Sequence, residues 1–411
     1  MRNFASIAEL LNQDRPGYTL PQALYTSEEA FRFDTEVMLK SVWLYACTVA
    51  HVKNPGDFYV FEMANNSVFI VRGRDGEVRA FYNTCTHRGS RICQVQAGTM
   101  PRIMCPYHFW TFGLDGKLIA ARGMPDDFDK GAHNLRQVAL ENCGGLLFIC
   151  LADNPPPIEP AKQDIAAAIG IYNMDKLKVA AVEDLHDTAN WKLVMENNRE
   201  CYHCEANHPE LLNSLSGSGF GRGNPEDGDA ADEDDITAQV ERWKAMGVWR
   251  DLVEFPDGGW HRVGRLSLAH GALSQTMDGQ PASRKLIWPV EHAEPTSVSV
   301  WTQPNSWHHF CCDHVVTFSV MPQGPDRSIL RTSWLVHEDA VEGEDYTVEN
   351  LTHVWKATNR QDRHLAEMNH AGIVTDGYRP GPYALEENLV DAFKTFYVER
   401  AKAALEAAGQ P

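Results

Sequence analysis

Short apolar runs of β character fill the first part of the chain and predict an antiparallel β domain. The clearest runs are Phe58–Phe61, Val68–Val71, Val78–Tyr82 and Leu146–Leu151. Turn-forming residues such as Asp115-Gly116 separate these runs, as they do in hairpins. Three consecutive prolines, Pro155–Pro157, cannot continue a central strand, and we therefore place a domain boundary there.

The second part of the chain combines a sheet with helices. Apolar runs predict further strands at Val298–Trp301, His314–Val320 and Ile329–Val336. Apolar residues at helical spacing predict two long helices at Val348–Met368 and Leu385–Ala407, and Ser27 is a suitable N-cap for an N-terminal helix. The pattern predicts an α+β protein with an N-terminal arm and helix (1–44), a small antiparallel β domain (45–155) and a larger domain (156–411).

The net charge and the hydrophobic content of the chain argue against some classes of partner. The 411 residues carry a net charge of −19, and 43% of them are hydrophobic, as in an ordinary globular protein. A polyanion would be repelled, so we expect no nucleic acid partner. No apolar stretch reaches the roughly 18 residues of a membrane span, and the N-terminus lacks the apolar region of a secretory signal. We therefore expect a cytoplasmic protein without a membrane partner, with an exposed acidic loop at Arg222–Asp235.

Two Cys–His pairs form the first candidate metal site. Cys85 and His87 are followed by Cys105 and His108, so that each short segment supplies one thiolate and one imidazole. A zinc site remains an alternative, although zinc fingers usually pair ligands of the same type. The mixed order is typical of a Rieske [2Fe–2S] cluster, in which one iron takes both sulfurs and the other takes both imidazoles.

A second candidate metal site combines two histidines with a distant carboxylate. His203 and His208 lie about 140° apart on an ideal helix, so both can bind one metal only if the helix is distorted or ends there. Asp362 occupies an apolar stripe of the Val348–Met368 helix, where an ionised carboxylate needs compensation. Two histidines and one carboxylate are typical of a mononuclear non-haem Fe(II) oxygenase. An arginine-paired or capping role for Asp362 remains the alternative at this point.

Other conspicuous residues suit structural roles. Cys201 and Cys204 flank His203, and a redox disulfide is conceivable, but free thiolates would compete for the iron and we interpret both as packing residues. The window His308–Cys312 has no partner at ligand spacing and suits strand packing.

The two constellations together resemble the oxygenase (α) component of Rieske non-haem iron oxygenases, over essentially the whole chain. Further similar segments are Asn190–Val194, Glu196–Cys204, Trp334–Gly343 and Pro380–Tyr383. These segments are most similar to the branch that acts on quaternary ammonium compounds, such as the glycine betaine and stachydrine enzymes. The resemblance implies a Rieske domain and a helix-grip catalytic domain, and it implies that Asp362 is an iron ligand.

The resemblance also implies partners. It implies a homotrimer in which the cluster of one subunit serves the iron of the next, and electrons from NAD(P)H through a separate flavin and iron–sulfur reductase. The chain has no Gly-x-Gly-x-x-Gly fingerprint after a strand, which agrees with a nicotinamide site on another protein. Glu200 stands where related ring dioxygenases carry the bridging aspartate, and a helix would place it on the same face as His203.

The sequence therefore predicts a monooxygenase that uses O₂ to hydroxylate an N-methyl group of a betaine or another quaternary ammonium compound. The hydroxylated product would release formaldehyde and a tertiary amine. Aromatic faces suit a permanent cation, and Trp260, Trp301 and Trp307 are candidates. Two alternatives remain: an oxygenase of aromatic rings or aromatic ethers with the same metals, and a Rieske electron carrier, which would need neither His203, His208 nor Asp362.

Overall fold

The computed structural model describes residues 4–215, 241, 243–245, 251–269, 271–287 and 296–409. The predicted loop at Arg222–Asp235 lies outside these residues. Two large antiparallel sheets organise the described part, one in each half of the chain. Among the described residues, no helix has both the length and the apolar character needed to cross a membrane.

The first large sheet has the strand order β1-β10-β9-β4-β3-β2-β5. Its strands are β1 (Leu44–Thr48), β2 (Asp57–Met63), β3 (Asn66–Arg72), β4 (Val78–Tyr82), β5 (Ala97–Thr99), β9 (Gln137–Cys143) and β10 (Leu146–Cys150). A small three-stranded sheet lies beside it and consists of β6 (Ile103–Met104), β7 (Thr111–Phe112) and β8 (Leu118–Ala120). The predicted runs in this region are confirmed as strands, and Asp115-Gly116 lies in the turn between β7 and β8.

The second large sheet has the order β11-β17-β16-β15-β14-β13-β12. Its strands are β11 (Leu177–Asp187), β12 (Val253–Glu254), β13 (His261–Ser267), β14 (Thr296–Thr302), β15 (Ser306–Phe310), β16 (His314–Gly324) and β17 (Arg327–His337). Arg262, Trp301, Trp307, Phe318 and Thr332 are successive cross-strand partners. Their side chains therefore form one row on a single face of the sheet, which we call the aromatic row.

The described α-helices lie before β1 and after β10. They are α1 (Ala5–Asn12), α2 (Gln22–Thr26), α3 (Glu28–Phe33), α4 (Glu159–Ile169), α5 (Trp191–Asn198), α6 (Cys204–Asn207), α7 (Pro256–Gly259), α8 (Val348–Ile373) and α9 (Asn388–Ala407). Ser27 accepts a hydrogen bond from the Ala30 amide, which confirms the predicted N-cap. Helix α3 continues as a π-helical turn over Asp34–Met38, and Leu385–Glu387 form a 3-10 turn before α9 rather than its first turn.

One hydrophobic core continues from the first large sheet into the second. The side chain of Asn305, between β14 and β15, links the second sheet to β1 of the first. It accepts a hydrogen bond from the Tyr45 amide at 3.0 Å and donates one to the Tyr45 carbonyl at 3.1 Å. Arg331 donates to the Tyr59 hydroxyl at 2.6 Å. A second, smaller core lies between the other face of the first sheet and the three-stranded sheet, and it contains Cys85 and Cys105. This arrangement places the predicted cluster ligands away from the joint between the two large sheets.

Candidate metal centres

Two similar loops carry the Cys–His pairs. The first loop follows β4 and the second joins β6 to β7. In each loop the amide four residues after the cysteine donates back to the cysteine carbonyl, from Gly89 to Cys85 at 2.9 Å and from Phe109 to Cys105 at 3.1 Å. Gly89 and Phe109 both have left-handed backbones, with φ of 78° and 59°. The two loops are therefore equivalent turns.

The loops bring the four predicted ligands together. Cys85 and Cys105 are buried and not in a disulfide, and burial raises the pKa of the Cys85 thiol to about 11, with a further contribution from Cys105 beside it. The rings of His87 and His108 have centroids 4.7 Å apart. Within the described residues, Nδ1 of His87 is buried without a hydrogen-bond partner. Two adjacent thiols and an unpaired buried imidazole nitrogen fit a [2Fe–2S] cluster with mixed ligands.

Aromatic residues surround this group. Trp110 stacks on His87 with ring centroids 4.5 Å apart, and Tyr107 stacks on His108 at 3.7 Å. Tyr107 is 55% exposed and Phe109 is 62% exposed. We call Tyr107, Phe109 and the exposed Met104 the cluster rim. The rim presents apolar side chains to solvent around the histidine side of the candidate cluster.

The second constellation converges more tightly. His203 is the N-cap and His208 the C-cap of the single-turn helix α6, which confirms that the helix ends at His208. Nε2 of His203 lies 3.0 Å from Nε2 of His208 and 3.2 Å from Oδ1 of Asp362, and Nε2 of His208 lies 2.9 Å from the same oxygen. Ligand atoms at right angles and about 2.1 Å from one ion are roughly 3 Å apart. The three groups therefore fit a single metal ion on one face.

Helix α8 supplies the carboxylate. Thr347 caps this helix by accepting a hydrogen bond from the Asn350 amide. Leu351, Trp355 and Thr358 are buried along the face that leads to Asp362, as the apolar stripe predicts. The Asp362 side chain keeps 22% exposure, and its oxygen faces two histidines rather than an arginine. This geometry favours the ligand interpretation over the arginine-paired or capping alternative.

The contacts among the candidate ligands shift their pKa values. Burial alone would lower the pKa of His203, but its contacts with Asp362 and Glu200 outweigh burial and raise that pKa to about 9. Burial alone would raise the pKa of Asp362, and the two histidines outweigh it and hold the pKa below its usual range. The same groups that attract a proton here would bind a divalent cation.

Glu200 orients His203. A carboxylate oxygen of Glu200 accepts a hydrogen bond from Nδ1 of His203, which leaves Nε2 directed at Asp362. The other oxygen accepts from the backbone amides of Tyr202 and His203. Among the described residues, Glu200 forms no hydrogen bond to Asp362 or His208. Tyr202, two residues further along the chain, is 62% exposed. The arrangement is that of a carboxylate–histidine–metal triad near the surface.

Gln361 and Glu210 are functional candidates that the sequence reasoning missed. Nδ1 of His208 donates to Oε1 of Gln361 at 2.8 Å, and Nε2 of Gln361 donates to Glu210 at 2.7 Å. Gln361 thus orients His208 as Glu200 orients His203. The sequence carried no signal for it, because neighbouring residues on a helix lie about 100° apart and the position of Gln361 next to Asp362 does not show that it faces a histidine.

The interpretation of Cys201 and Cys204 as packing residues is wrong. The structure joins them in a disulfide with Cα atoms 4.9 Å apart, because the turn before α6 brings the two residues within bridging distance. The Cys204 sulfur lies within 4.8 Å of ligand atoms of His203 and His208. In the disulfide this sulfur is not available as a thiolate that competes for a metal. By contrast, strand packing is confirmed for His308–Phe310, which end the fully buried strand β15, whereas Cys311 and Cys312 are buried just after that strand.

The three candidate tryptophans have different neighbours. Trp260 packs on Phe148 and donates to the Trp43 carbonyl at the joint between the large sheets. The ring of Trp301 already has two guanidinium groups over it, from Arg199 at 4.9 Å and Arg262 at 5.0 Å. Trp307 stacks on Phe318 at 4.9 Å. Only Trp307 of the three keeps purely aromatic neighbours in the aromatic row, so it is the best of the three for a substrate cation.

Helix α8 covers this row. The rings of Phe318 and Trp355 meet edge to face with centroids 4.9 Å apart, and His309 stacks on Trp355 at 4.7 Å. Asn359 donates to the Thr332 hydroxyl at 3.0 Å. Asp362 follows on the same helix, about 10 Å along the axis from Trp355. The side chains between α8 and the aromatic row therefore form one layer, and the candidate metal site lies at one end of that layer.

Two family models match the parts of the chain that contain the two constellations. Residues 174–403 match the family model "Ring hydroxylating alpha subunit (catalytic domain)", and residues 42–137 match "Rieske [2Fe-2S] domain". A glycine betaine monooxygenase oxygenase subunit from Chromohalobacter salexigens is 41% identical over 92% of this chain and 84% of its own length. A carnitine monooxygenase oxygenase subunit from Escherichia coli is 34% identical over 48% of this chain and 54% of its own length.

Solved structures share the fold. A quaternary ammonium Rieske monooxygenase superposes with a TM-score of 0.71 at 21% identity, covering 96% of this chain and 98% of the other. Naphthalene 1,2-dioxygenase from Rhodococcus sp. superposes with a TM-score of 0.65 at 17% identity, covering 97% and 98%. These similarities cover nearly the whole chain and show a shared fold.

Proposed function

This chain belongs to the family of Rieske oxygenase α subunits, and from that premise we propose that it hydroxylates an N-methyl group of a betaine or a similar quaternary ammonium compound. The observation that carries this proposal is the 41% identity with a glycine betaine monooxygenase subunit over 92% of the chain. Hydroxylation of N–CH₃ gives a carbinolamine, which collapses to formaldehyde and a tertiary amine. The reaction would take one oxygen atom of O₂ into the substrate.

The protein carries a Rieske [2Fe–2S] cluster and a mononuclear iron. We assign Cys85, His87, Cys105 and His108 to the cluster, and His203, His208 and Asp362 to the iron, because these are the groups that converge. When bound, the iron supplies O₂ activation and the cluster supplies electrons.

The protein side chains have separate tasks around these groups. Glu200 and Gln361 accept the Nδ1 protons of the two histidines and so keep both Nε2 atoms directed at one point. The aromatic row with Trp355 would receive the quaternary ammonium group, which cannot donate a hydrogen bond and is attracted by aromatic rings. The layer between α8 and the row would also exclude water from the methyl group that reacts.

The electron route that we propose crosses between subunits of a homotrimer. Glu200 would link His203 to His108 of the partner subunit, because Glu200 holds His203 and keeps 11% side-chain exposure, and Tyr202 close by along the chain is exposed. The apolar cluster rim would pack against that surface. Electrons would come from NAD(P)H through a separate flavin and iron–sulfur reductase. We also retain the domain limits of 45–155 and 156–411 as part of this proposal.

The test is formaldehyde release from purified oxygenase with a surrogate reductase and a panel of compounds. The panel contains glycine betaine, stachydrine, carnitine, choline and a methoxylated aromatic acid. We expect formaldehyde and the matching tertiary amine from at least one betaine, and none from Asp362→Ala. Turnover of the aromatic ether alone would support the alternative function, for which a toluate dioxygenase α subunit with 29% identity over 46% of the chain is the precedent.

A further inference from the structure

The disulfide between Cys201 and Cys204 encloses a candidate metal ligand. His203 lies between the two cysteines along the chain, and its backbone amide donates to Glu200 directly before them. All the other cysteines of the chain lie within the described ranges and are buried and free. The bridge is therefore not part of a disulfide scaffold, and it stands at the mononuclear metal site alone.

The Cys204 sulfur faces the candidate metal site. Cys204 is 4% exposed, and its sulfur and one ring nitrogen each of His203 and His208 all lie within 4.8 Å of one another. In a tetrahedral site, a sulfur about 2.3 Å and a nitrogen about 2.1 Å from the metal are about 3.6 Å apart. Rotation about the Cα–Cβ bond of a released Cys204 covers the small remaining difference. The sulfur is therefore close enough to become a ligand once the bridge opens.

A fourth protein ligand would change the kind of metal site. Oδ1 of Asp362 lies 3.2 Å and 2.9 Å from the Nε2 atoms of His203 and His208, so these three groups leave positions open on one ion. Addition of a thiolate gives four protein ligands, which is the closed arrangement of tetrahedral zinc sites. While its sulfur is bonded to Cys201, Cys204 cannot act as a thiolate. The bridge therefore keeps a zinc-preferring donor away from the open site.

We propose that the Cys201–Cys204 disulfide is a redox-sensitive mask over a latent metal ligand, and that its reduction lets Cys204 join His203, His208 and Asp362 at the metal. The bridged protein then has the open site, and the dithiol form has a closed site of four protein ligands. This inference goes beyond the proposed function and does not depend on the substrate. The competing explanation is that the bridge only staples the turn that carries His203.

The bridge opens by exchange with a dithiol reductant. A thiolate of the reductant attacks the sulfur of Cys201, the less buried of the two cysteines, and the S–S bond breaks with its electron pair on Cys204. The second thiol of the reductant then releases Cys201, and the reductant becomes a disulfide. Of the two protons that the reductant loses, one goes to Cys201 and the other to solvent when Cys204 binds the metal as a thiolate. Hydrogen peroxide reverses the change by re-forming the S–S bond, and it is reduced to two molecules of water.

X-ray absorption at the zinc edge tests the proposal, because the iron of the cluster does not contribute there. The oxygenase is prepared with one zinc per chain in place of the mononuclear iron and with the cluster intact. It is measured before and after treatment with dithiothreitol, which is then removed under nitrogen. We expect nitrogen and oxygen neighbours alone in the bridged protein, and one sulfur neighbour at about 2.3 Å after reduction. Alkylation of the unfolded protein followed by mass spectrometry verifies that reduction has formed two further thiols.

Two matched variants make the test independent of whether a reductant reaches the bridge in the assembled protein. Cys201→Ala and Cys204→Ala both remove the disulfide, but only Cys201→Ala keeps the thiol of Cys204. We expect a permanent sulfur neighbour in Cys201→Ala, and none in Cys204→Ala with or without dithiothreitol. In competition with a chelator, Cys201→Ala should hold zinc at least tenfold more tightly than Cys204→Ala. The visible spectrum of the cluster verifies that each variant is folded.

The competing explanation predicts a different result. A bridge that acts only as a staple would give both variants the same zinc affinity and no sulfur neighbour, and that outcome would overturn the proposal. Reduced wild type without a sulfur neighbour, although two thiols have formed, would overturn it as well, and this measurement decides if Cys201→Ala does not fold. None of these readouts uses a quaternary amine or O₂. Absence of formaldehyde together with a sulfur neighbour would therefore reject the proposed function and leave the role of Cys204 standing.

Discussion

His208 donates its Nδ1 proton to the side chain of Gln361, the residue directly before Asp362. One turn of α8 therefore supplies both a candidate ligand and the group that orients another ligand. Glu210 holds the amide of Gln361 from the other side at 2.7 Å, so the orientation of Gln361 is fixed. Each histidine of the site has its own acceptor, but only the acceptor of His203 carries a charge.

Gln361→Met should weaken the mononuclear iron site and spare the cluster. Loss of such an orienting hydrogen bond typically costs 10- to 100-fold in metal affinity. Iron analysis after dialysis against a graded chelator series should show earlier loss of the mononuclear iron, with the visible spectrum of the cluster unchanged. Glu210→Gln keeps a hydrogen-bonding partner for Gln361 and serves as the control with near-normal retention. Normal iron retention in Gln361→Met would show that His208 needs no such support.

Glu200→Gln should slow electron transfer without loss of either metal. The side chain ligates neither metal in our proposal, and its charged hydrogen bond to His203 is worth roughly 1.5–3 kcal/mol. Single-turnover mixing of pre-reduced protein with betaine and O₂ measures oxidation of the cluster directly. We expect a decrease of orders of magnitude for Glu200→Gln and partial recovery for Glu200→Asp, which is one methylene shorter. A wild-type rate in Glu200→Gln would move the electron route elsewhere.

Phe109→Gly should stabilise the cluster loop. Phe109 has a φ of 59°, which glycine adopts freely and other L-residues adopt at a cost of roughly 1–2 kcal/mol. Within one subunit its ring is 62% exposed, so its removal loses little burial inside the chain, and its contact with the partner subunit in the proposed trimer is lost equally in the Phe109→Ala control. After the added backbone entropy of glycine, we expect a net gain of up to about 1 kcal/mol, measured as a later thermal loss of the cluster signal in visible circular dichroism. Phe109→Ala removes the ring but keeps Cβ, and an equal gain in that control would refute backbone strain as the cause.

Glu196 should make stability depend on pH. Its buried carboxylate accepts the Tyr25 hydroxyl at 2.8 Å, and burial raises its pKa from 4.5 to about 7. The folded state holds this proton more tightly than the unfolded state, so its stabilising contribution is complete below pH 4.5 and is lost as the pH rises through 7. Glu196→Gln is neutral throughout. Its stability relative to wild type should rise by about 3 kcal/mol between pH 4.5 and pH 8.

Urea unfolding of wild type and Glu196→Gln at several pH values checks this prediction. Glu399→Gln, a substitution at an exposed position on α9, is the matched control and should show no such trend. A constant difference between Glu196→Gln and wild type across the range would mean that Glu196 is ionised in the folded protein.

The sequence predicted the convergence of metal-binding groups better than the groups that support them. Asp362 was found because a carboxylate in an apolar helical stripe is conspicuous without any knowledge of the fold. Gln361 was missed because a glutamine beside that stripe is ordinary until His208 is known to face it.

The spacing of Cys201 and Cys204 gives a wrong prediction, because the packing role assumes free thiols. The structure joins the two in a disulfide, and a disulfide sulfur does not compete for the iron as a thiolate would. The strands of both large sheets were predictable because β character recurs in short bounded runs. The π-helical turn at Asp34–Met38 had no comparable signal. Its first residue, Asp34, accepts hydrogen bonds from Trp191 and Tyr397, which lie far along the chain.

The continuous core between the two large sheets has a consequence for how this protein can be divided. A fragment that ended after β10 would expose the apolar face that the second sheet covers, and it would lose the contacts of Tyr45 with Asn305 and of Tyr59 with Arg331. The cluster-bearing half is therefore not a portable module that can be grafted onto another oxidase without its host surface. Chimeras should exchange both halves together, or rebuild the whole shared face along with the transplanted part.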